Sequence, residues 1–344
     1  MTRARTIALA LTITASTGLT ACVDIVSLGS GDDSPGGGSV EPKADPSLCL
    51  TGAITTLADN QNPTDLVVDH DNVYWIDDPG IRQLDEHLPK HVMKAPKSGG
   101  APVVLATGSS ISRLMLDDQN VYWTADNGTT PPTDSLFSTP KSGGAITTIV
   151  TTGTPVSVVG VDNDSVYLDD VDAATLSSMP RSGGAQTILT ATFANDHRIL
   201  MDAQSLYWTS GNDVFSLPKG GGTPTLLTSA LSGDLLSAQD DYSLYFAWKG
   251  PGRGTVSVPK SGGAPILLRN GVYPQAVDAR CVYEAPWIEG TVEDTNHMVL
   301  GAPKSGDVTA TMASGLTDVW AMTVDETGLY WTNAYAGLVM KIAR

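Results

Sequence analysis

The chain has 344 residues, a formal charge of −17, and 35 glycines and 21 prolines spread along its length. That length can bury a substantial core, and the many turn-forming residues favour short strands over helices. The negative charge argues against nucleic-acid binding, because an acidic surface repels phosphate and no lysine or arginine cluster offsets it. We therefore expect no nucleic-acid partner.

Residues 1–21 have the features of an export signal and are excluded from the predicted fold. Arg3 and Arg5 form a basic start, and the apolar segment from Ile7 to Ile13 is too short to span a membrane as a helix. The string LTAC at 19–22 then resembles the lipobox that lipoprotein signal peptidase recognises. The resemblance implies acylation of Cys22 and anchoring to a membrane of the bacterial cell envelope, in the periplasm or on the surface. An ordinary secretory signal with an incidental cysteine is the alternative.

Residues 22–48 are predicted to form a flexible tether, and residues 49–344 the folded domain. The segment from Gly29 to Gly38 consists of glycine, serine, aspartate and proline, which cannot bury a core. If Cys22 is acylated, Cys49 and Cys281 remain as an even pair in an oxidising compartment. We predict a disulfide between them.

An internal repeat of about 40–45 residues runs through the mature chain, which is the length of one four-stranded propeller blade. A tyrosine, usually preceded by valine or leucine, recurs as an anchor, and an aspartate stands five residues before each one. The seven tyrosines are Tyr74, Tyr122, Tyr167, Tyr207, Tyr245, Tyr283 and Tyr330. The seven aspartates are Asp69, Asp117, Asp162, Asp202, Asp240, Asp278 and Asp325. Most anchors are followed by PKSGG, as at 96–100, or by a close variant.

Each repeat is predicted to form four short strands, a to d, separated by tight turns. In the first repeat they are Leu66–Asp69, Val73–Asp77, Val92–Pro96 and Pro102–Ala106. The last repeat ends after strand c, Leu338–Ile342, whereas Ala53–Ala58 matches the outer strand of the second repeat. We therefore predict an all-β, seven-bladed propeller in which the N-terminal segment supplies the last outer strand. This closure removes exposed strand edges.

Four anchor strings carry a family resemblance: YWID at 74–77, YWTA at 122–125, YWTS at 207–210 and YWTN at 330–333. They resemble the YWTD repeats of low-density-lipoprotein-receptor-type propellers, and the PKSGG-bearing form is similar to repeat lipoproteins of bacterial surfaces. The motif decays to YLDD, YFAW and YEAP in the third, fifth and sixth repeats. Because receptor propellers of this type have six blades and seven repeats are present here, no functional residue is carried over.

The strand order a-b-c-d places the a–b and c–d turns at one end of the propeller, the short-turn face. The seven aspartates begin the a–b turns, and we predict that they cap these turns by accepting backbone N–H groups. Cation binding by the aspartates is the alternative. The b–c and d–a connections form the opposite end, the loop face, and they vary in length. Variable loops on a rigid scaffold are where binding residues are usually held.

Aromatic residues outside the repeat register are predicted at or near the loop face of the last three blades. They are Trp248, Tyr273, Trp287, Trp320 and Tyr335. Exposed aromatic residues beside polar groups suit sugar stacking or a protein hot spot. Packing in the central channel or beneath loops is the alternative for some of them. We predict a non-catalytic module that presents this face to a protein, glycan or peptide, without a metal or other cofactor.

A lactonase-like propeller hydrolase or lyase, with a polar or metal site at the channel mouth, is the alternative function. Its candidate residues are Asp65, Arg113, His197, Arg198, Asp234 and Asp318. Three or more of these acidic and histidine side chains converging on one point would favour the enzyme. The five histidines have no metal-ligand spacing, and the chain contains no Gly-x-Ser-x-Gly nucleophile motif.

Overall fold

The computed structural model describes residues 49–83, 88–126, 134–152, 156–170, 172–191, 199–229, 231, 235–248, 254–270, 274–285, 298–305 and 309–344. The predicted signal segment, Cys22 and the predicted tether lie outside these residues. Within the described ranges, no helix is long and apolar enough to cross a membrane.

Seven sheets of four antiparallel strands form the blades of a propeller, as the repeat predicts. Blade one contains β2 Pro63–Val68, β3 Asn72–Asp77, β4 Lys90–Pro96 and β5 Val103–Gly108. Blade two contains β6 Ile111–Leu116, β7 Asn120–Asp126, β8 Asp134–Pro140 and β9 Thr147–Thr151. Blade three contains β10 Val156–Val161, β11 Ser165–Asp170, β12 Thr175–Pro180 and β13 Thr187–Thr190. Blade four contains β14 Leu200–Met201, β15 Ser205–Ser210, β16 Asp213–Pro218 and β17 Thr225–Thr228. Blade five contains β18 Leu235–Gln239, β19 Ser243–Trp248, β20 Gly254–Pro259 and β21 Ile266–Asn270. Blade six contains β22 Pro274–Val277, β23 Cys281–Glu284, β24 Met298–Pro303 and β25 Ala310–Ser314. Blade seven contains β26 Val319–Asp325, β27 Gly328–Asn333, β28 Leu338–Ala343 and β1 Ile54–Ala58. One helical turn, α1 Gly80–Gln83, follows β3.

The N-terminal strand closes the ring, so this prediction is confirmed. β1 pairs with β28, with Ile54 opposite Ile342 and Thr56 opposite Met340. The last blade therefore takes its outer strand from the start of the domain, and its sheet has the same four strands as the others. The segment that leads into blade one is thus held by strand pairing in blade seven, and the two blades also pack through their side chains.

The anchor tyrosine and the aromatic residue after it lie on opposite sides of strand b and fill the spaces between blades. Tyr74 packs with Trp123 of blade two, whereas Trp75 packs with Tyr330 of blade seven. Tyr74 and Trp75 are completely buried. Consecutive residues of a strand point to opposite faces, and large rings bury much apolar surface. This dipeptide therefore packs the core between neighbouring blades.

The Gly-Gly pairs form the c–d turns because both positions need backbone conformations that side chains disfavour. In the first repeat, Gly99 and Gly100 have φ angles of 88° and 147°. The Gly99 amide donates to the Pro96 carbonyl at 3.0 Å, which closes the turn. Glycine adopts these positive φ angles without the steric cost that a Cβ imposes.

A candidate binding site on the loop face

The short-turn aspartates cap their turns, as predicted, and also bind the anchor tyrosines, which was not predicted. Asp69 Oδ1 accepts the backbone N–H groups of Asp71 at 3.0 Å and Asn72 at 2.8 Å. Its Oδ2 accepts the hydroxyl of Tyr74 at 2.8 Å. The equivalent tyrosine-to-aspartate bond is present in blades two to six. The constant five-residue spacing between aspartate and tyrosine therefore has a physical cause.

A cation from the next blade completes each of these groups. The Lys141 ammonium lies 2.9 Å from Asp69 Oδ2, and Lys141 is the residue after proline in the PKSGG of blade two. In blade seven the final residue, Arg344, takes this place and lies 2.5 Å from Asp278. The other pairs are Arg181–Asp117, Lys219–Asp162, Lys260–Asp202, Lys304–Asp240 and Lys97–Asp325. Seven ion pairs thus join each blade to its neighbour around the ring.

These contacts keep the aspartates ionised. Burial acts to raise the pKa of Asp69, but the hydrogen bonds from Lys141 and Tyr74 outweigh burial and hold the pKa at about 2. Burial and the bond to Asp202 raise the pKa of Tyr207 to about 12. Because lysine, tyrosine and backbone donors already occupy these carboxylates, we assign them a structural role rather than cation binding.

The last residue of the YWTD-like string organises the loop face. Asn333 is buried, and its Oδ1 accepts the Thr317 amide at 3.0 Å, the Thr317 hydroxyl at 2.6 Å and the Asp318 amide at 3.2 Å. Asp77 holds the Asn62 amide of blade one in the same way, at 2.5 Å. The polar residue at this position therefore fixes the preceding d–a connection. This role was not predicted, although the polar residue recurs at the end of YWID and YWTN.

Trp320 projects from a bulge at the start of β26. Val319 pairs with Asn333 and Met322 with Trp331, so Trp320 and the following residue stand opposite a single residue of β27. Such bulges redirect side chains. The indole is 44% exposed, and its Nε1 donates to Asp318 Oδ2 at 2.7 Å. The ring is thus fixed by its polar edge.

Tyr335 lies beside Trp320, in the b–c turn of the same blade. The two ring centroids are 6.1 Å apart with planes at 88°, and Tyr335 is 53% exposed. Arg82 of blade one donates to the Tyr335 carbonyl at 3.0 Å. Gly337 has a φ of 77°, and a Cβ at this position would collide with the Arg82 guanidinium. Two exposed rings are therefore held in a fixed arrangement where blades seven and one meet.

The remaining predicted ligand-binding residues are placed only in part. Trp248 is the last residue of β19, where its backbone pairs with Gly254 of β20. The Trp248 side chain, Tyr273 and Trp287 lie outside the described residues. Two of the five candidates, Trp320 and Tyr335, are thus brought together on the loop face with solvent-exposed rings.

Of the residues proposed for a catalytic site, Asp65 and Arg113 join neighbouring blades. Asp65 Oδ2 accepts the Leu114 amide of blade two at 2.6 Å. Arg113 donates to the Val159 carbonyl of blade three at 2.9 Å. Asp318 binds the Trp320 indole, and His197, Arg198 and Asp234 lie outside the described residues. Within the described part of the chain, no three His, Cys, Asp or Glu side chains are grouped to hold a metal.

A charged pair replaces apolar packing between blades five and six. Glu284 occupies the tryptophan position of its motif and is completely buried. The Thr255 hydroxyl donates to its Oε1 at 2.8 Å, and Arg269 Nε lies 3.5 Å from its Oε2. Burial raises the pKa of Glu284 to about 7, against the opposing effects of Arg269 and Thr255. The YEAP string was the signal for this cluster, which belongs to the blade interface.

The cysteine pair joins the start of the domain to blade six. Cys49 and Cys281 are linked with an S–S distance of 2.04 Å, across 232 positions of sequence. Both residues are buried, and Cys281 begins β23 directly after an a–b turn. The linked segment therefore enters the domain on the side of the short-turn face.

Comparisons with known proteins establish the fold and no more. No protein-family model matches the chain, and a search of curated proteins finds no match. Among solved structures, an oligogalacturonate lyase of Vibrio parahaemolyticus has a TM-score of 0.61 at 8% identity, covering 84% of this chain and 93% of its own. The propeller domain of the Trilobed protease of Pyrococcus furiosus has a TM-score of 0.55 at 9% identity, and the match covers 83% of this chain and 98% of that domain. An uncharacterised Listeria monocytogenes protein has a TM-score of 0.54 at 8% identity, and the match covers 83% of this chain and 93% of that protein. The chain is therefore a seven-bladed β-propeller, and these identities carry no function.

Proposed function

We propose that this chain is a non-catalytic, lipid-anchored propeller of the bacterial cell envelope that binds a protein, peptide or glycan through its loop face. Its repeats are a seven-bladed variant of the YWTD type. Residues 1–21 direct export, Cys22 carries the acyl chains, and residues 22–48 tether the domain to the membrane. One acyl chain binds a membrane only marginally, and the two or three chains of a lipoprotein make the anchor stable.

The observation that carries the binding proposal is the exposed pair Trp320–Tyr335. Apolar ring faces held in water are unfavourable, and covering them with a ligand removes that unfavourable contact. The hydrogen bond from Trp320 to Asp318 restrains the indole beforehand, and the bond from Arg82 to the Tyr335 carbonyl restrains the turn that carries the second ring. Binding then loses little side-chain entropy, which is how a small contact area gains affinity.

The contrast between the two ends of the propeller supports the same face. The short-turn face repeats one structural group seven times, and its lysines and aspartates satisfy one another across the blades. The predicted tether joins the domain on that side, at Cys49. The loop face carries residues that differ from blade to blade.

Binding is tested by substituting Trp320 in the full-length protein. The immobilised protein is incubated with envelope extract and with a panel of soluble glycans, and retained material is quantified. We expect Trp320→Ala to reduce retention, with the melting temperature almost unchanged because the side chain is half exposed. Tyr242→Ala is the matched control, since Tyr242 is 80% exposed in an a–b turn of the opposite face. Equal retention by both variants would contradict the proposal.

Anchoring is tested separately with Cys22→Ser. We expect the native protein to incorporate labelled palmitate and to sediment with membranes, and the variant to do neither. Palmitate labelling that survives the substitution would show that Cys22 is not the acylated residue.

A further inference from the structure

We propose that the ligand of the Trp320–Tyr335 site is a neutral carbohydrate, with one sugar ring seated against the two aromatic rings. This inference rests on the proposed binding function of the loop face and narrows it to one class of ligand. Three properties of the site favour a sugar: the extent of its apolar surface, its shape and its charge.

Among the described residues, the exposed apolar surface of the loop face is smaller than the core of a protein interface. Among the described residues, Trp320 and Tyr335 are the only large hydrophobic residues exposed on this face. The others lie on or beside outer strands, or in an a–b turn: Ile54, Val103, Val104, Ile146, Ile188, Leu226, Ile266, Leu267 and Tyr242. A half-exposed aromatic side chain offers roughly 100 Å². A stable protein interface buries about 800 Å² on each partner around an apolar core.

The shape of the pair fits a single sugar ring. The planes of Trp320 and Tyr335 meet at 88°, with the centroids 6.1 Å apart, so the two rings form a corner with a floor and a wall. A pyranose with equatorial hydroxyls has a flat face of axial C–H bonds, which packs on an aromatic floor. Its equatorial hydroxyls then point sideways and need polar partners.

Polar groups stand at the edges of this corner. The Asp318 carboxylate lies 2.7 Å from the indole Nε1, at the edge of the floor. The Arg82 guanidinium lies at the backbone of the wall residue, 3.0 Å from the Tyr335 carbonyl. An acceptor and a donor group beside apolar ring faces suit the alternating donors and acceptors of a polyol.

The charge of the protein selects among sugars. At −17, the chain repels polyanionic glycans at long range, while at the site the charges of Asp318 and Arg82 have opposite signs. A neutral sugar binds without this long-range electrostatic repulsion. The expected ligand is thus a neutral oligosaccharide built from rings with equatorial hydroxyls.

The experiment measures binding of defined oligosaccharides to the full-length protein. Oligomers of β-linked glucose and of N-acetylglucosamine are the probes, with a polygalacturonate oligomer as the anionic comparison, and binding is followed by calorimetry and tryptophan fluorescence. We expect one neutral series to bind, with Trp320→Ala lowering affinity about tenfold or more. Trp320→Phe should retain part of the affinity because it keeps an aromatic floor, and Tyr242→Ala should bind as the native protein does.

Each other outcome overturns a defined part of the proposal. Saccharide binding that is unaffected by Trp320→Ala, or stronger binding of the anionic oligomer, refutes the assignment of a neutral sugar to this site. Retention of a protein or peptide that depends on Trp320, with no saccharide binding, also refutes the carbohydrate and leaves loop-face binding intact. Absence of any retained ligand refutes the proposed function itself.

Discussion

Replacing Asp69 with asparagine isolates the electrostatic part of the short-turn ring from its turn-capping part. Asparagine keeps an oxygen that can accept the Asp71 and Asn72 amides, so the a–b turn is preserved. It removes the negative charge that faces Lys141 of the next blade. The variant therefore tests whether the carboxylate contacts with Lys141 and Tyr74, rather than the turn, stabilise the ring.

The expected effect follows from the pKa of Asp69, which is lowered from 3.8 to about 2. Each pKa unit corresponds to about 1.4 kcal/mol, so ionisation of this carboxyl stabilises the fold by about 2 kcal/mol. Only 19% of the Asp69 side chain is exposed, which limits screening by solvent. Because the folded pKa is the lower one, this stabilisation is complete above about pH 4 and disappears as the pH falls toward 2.

The assay is urea unfolding of the native protein and the variant at pH 7 and at several values below pH 4. Asp71→Asn is the control, because Asp71 lies in the same turn with its side chain 80% exposed. We expect Asp69→Asn to cost about 2 kcal/mol at pH 7 and the control to cost almost nothing. Equal stability of the two variants at pH 7, or a cost of Asp69→Asn that persists at the lowest pH, would refute stabilisation by the Asp69 carboxylate.

Three further predictions concern other parts of the molecule. Burial raises the pKa of Glu284 from 4.5 to about 7, so the free energy of unfolding of the native protein should fall by about 3 kcal/mol as the pH rises through this window. Glu284→Gln should not show this fall, and parallel profiles of stability against pH for the two proteins contradict the prediction. Cys281→Ser should be less stable than the oxidised native protein by about 4 kcal/mol and nearly as stable as the reduced native protein. If the variant and the native protein have the same mobility on a non-reducing gel, the disulfide is contradicted. Gly337→Ala should displace Arg82 from Tyr335 and weaken ligand retention several-fold. It should cost more than about 1 kcal/mol of stability, because the φ of 77° disfavours a side chain and a Cβ would also collide with the Gln61 carbonyl; retention equal to the native level contradicts this role.

Most of the architecture could be predicted from the sequence because each blade is specified locally. The turn residues, the alternation of buried rings and the repeat length all act within about 45 residues. The match of Ala53–Ala58 to an outer strand predicts the closure, and β1 pairs with β28 as expected. Strand ends differ only slightly; for example, β2 begins at Pro63 because a bulge precedes Leu66.

The contacts between blades could not be predicted, since a repeat pattern gives the register within a blade and not between blades. Lys141 and Asp69 are 72 positions apart, and nothing in PKSGG indicates that its lysine reaches the preceding a–b turn. The sequence also marked Asp65 and Arg113 as polar residues near the channel, but only their surroundings show that they bind backbone groups of neighbouring blades.

The amino-acid sequence by itself determined the number of blades, their strand order and the closure of the ring, because turn chemistry and burial periodicity are local properties. Tertiary structure alone decided which groups meet across blade boundaries: the seven ion pairs, the buried Glu284–Arg269 pair, and the right-angled rings of Trp320 and Tyr335. These depend on the rotation of one sheet against the next, which arises from packing of the whole ring and is encoded in no single repeat.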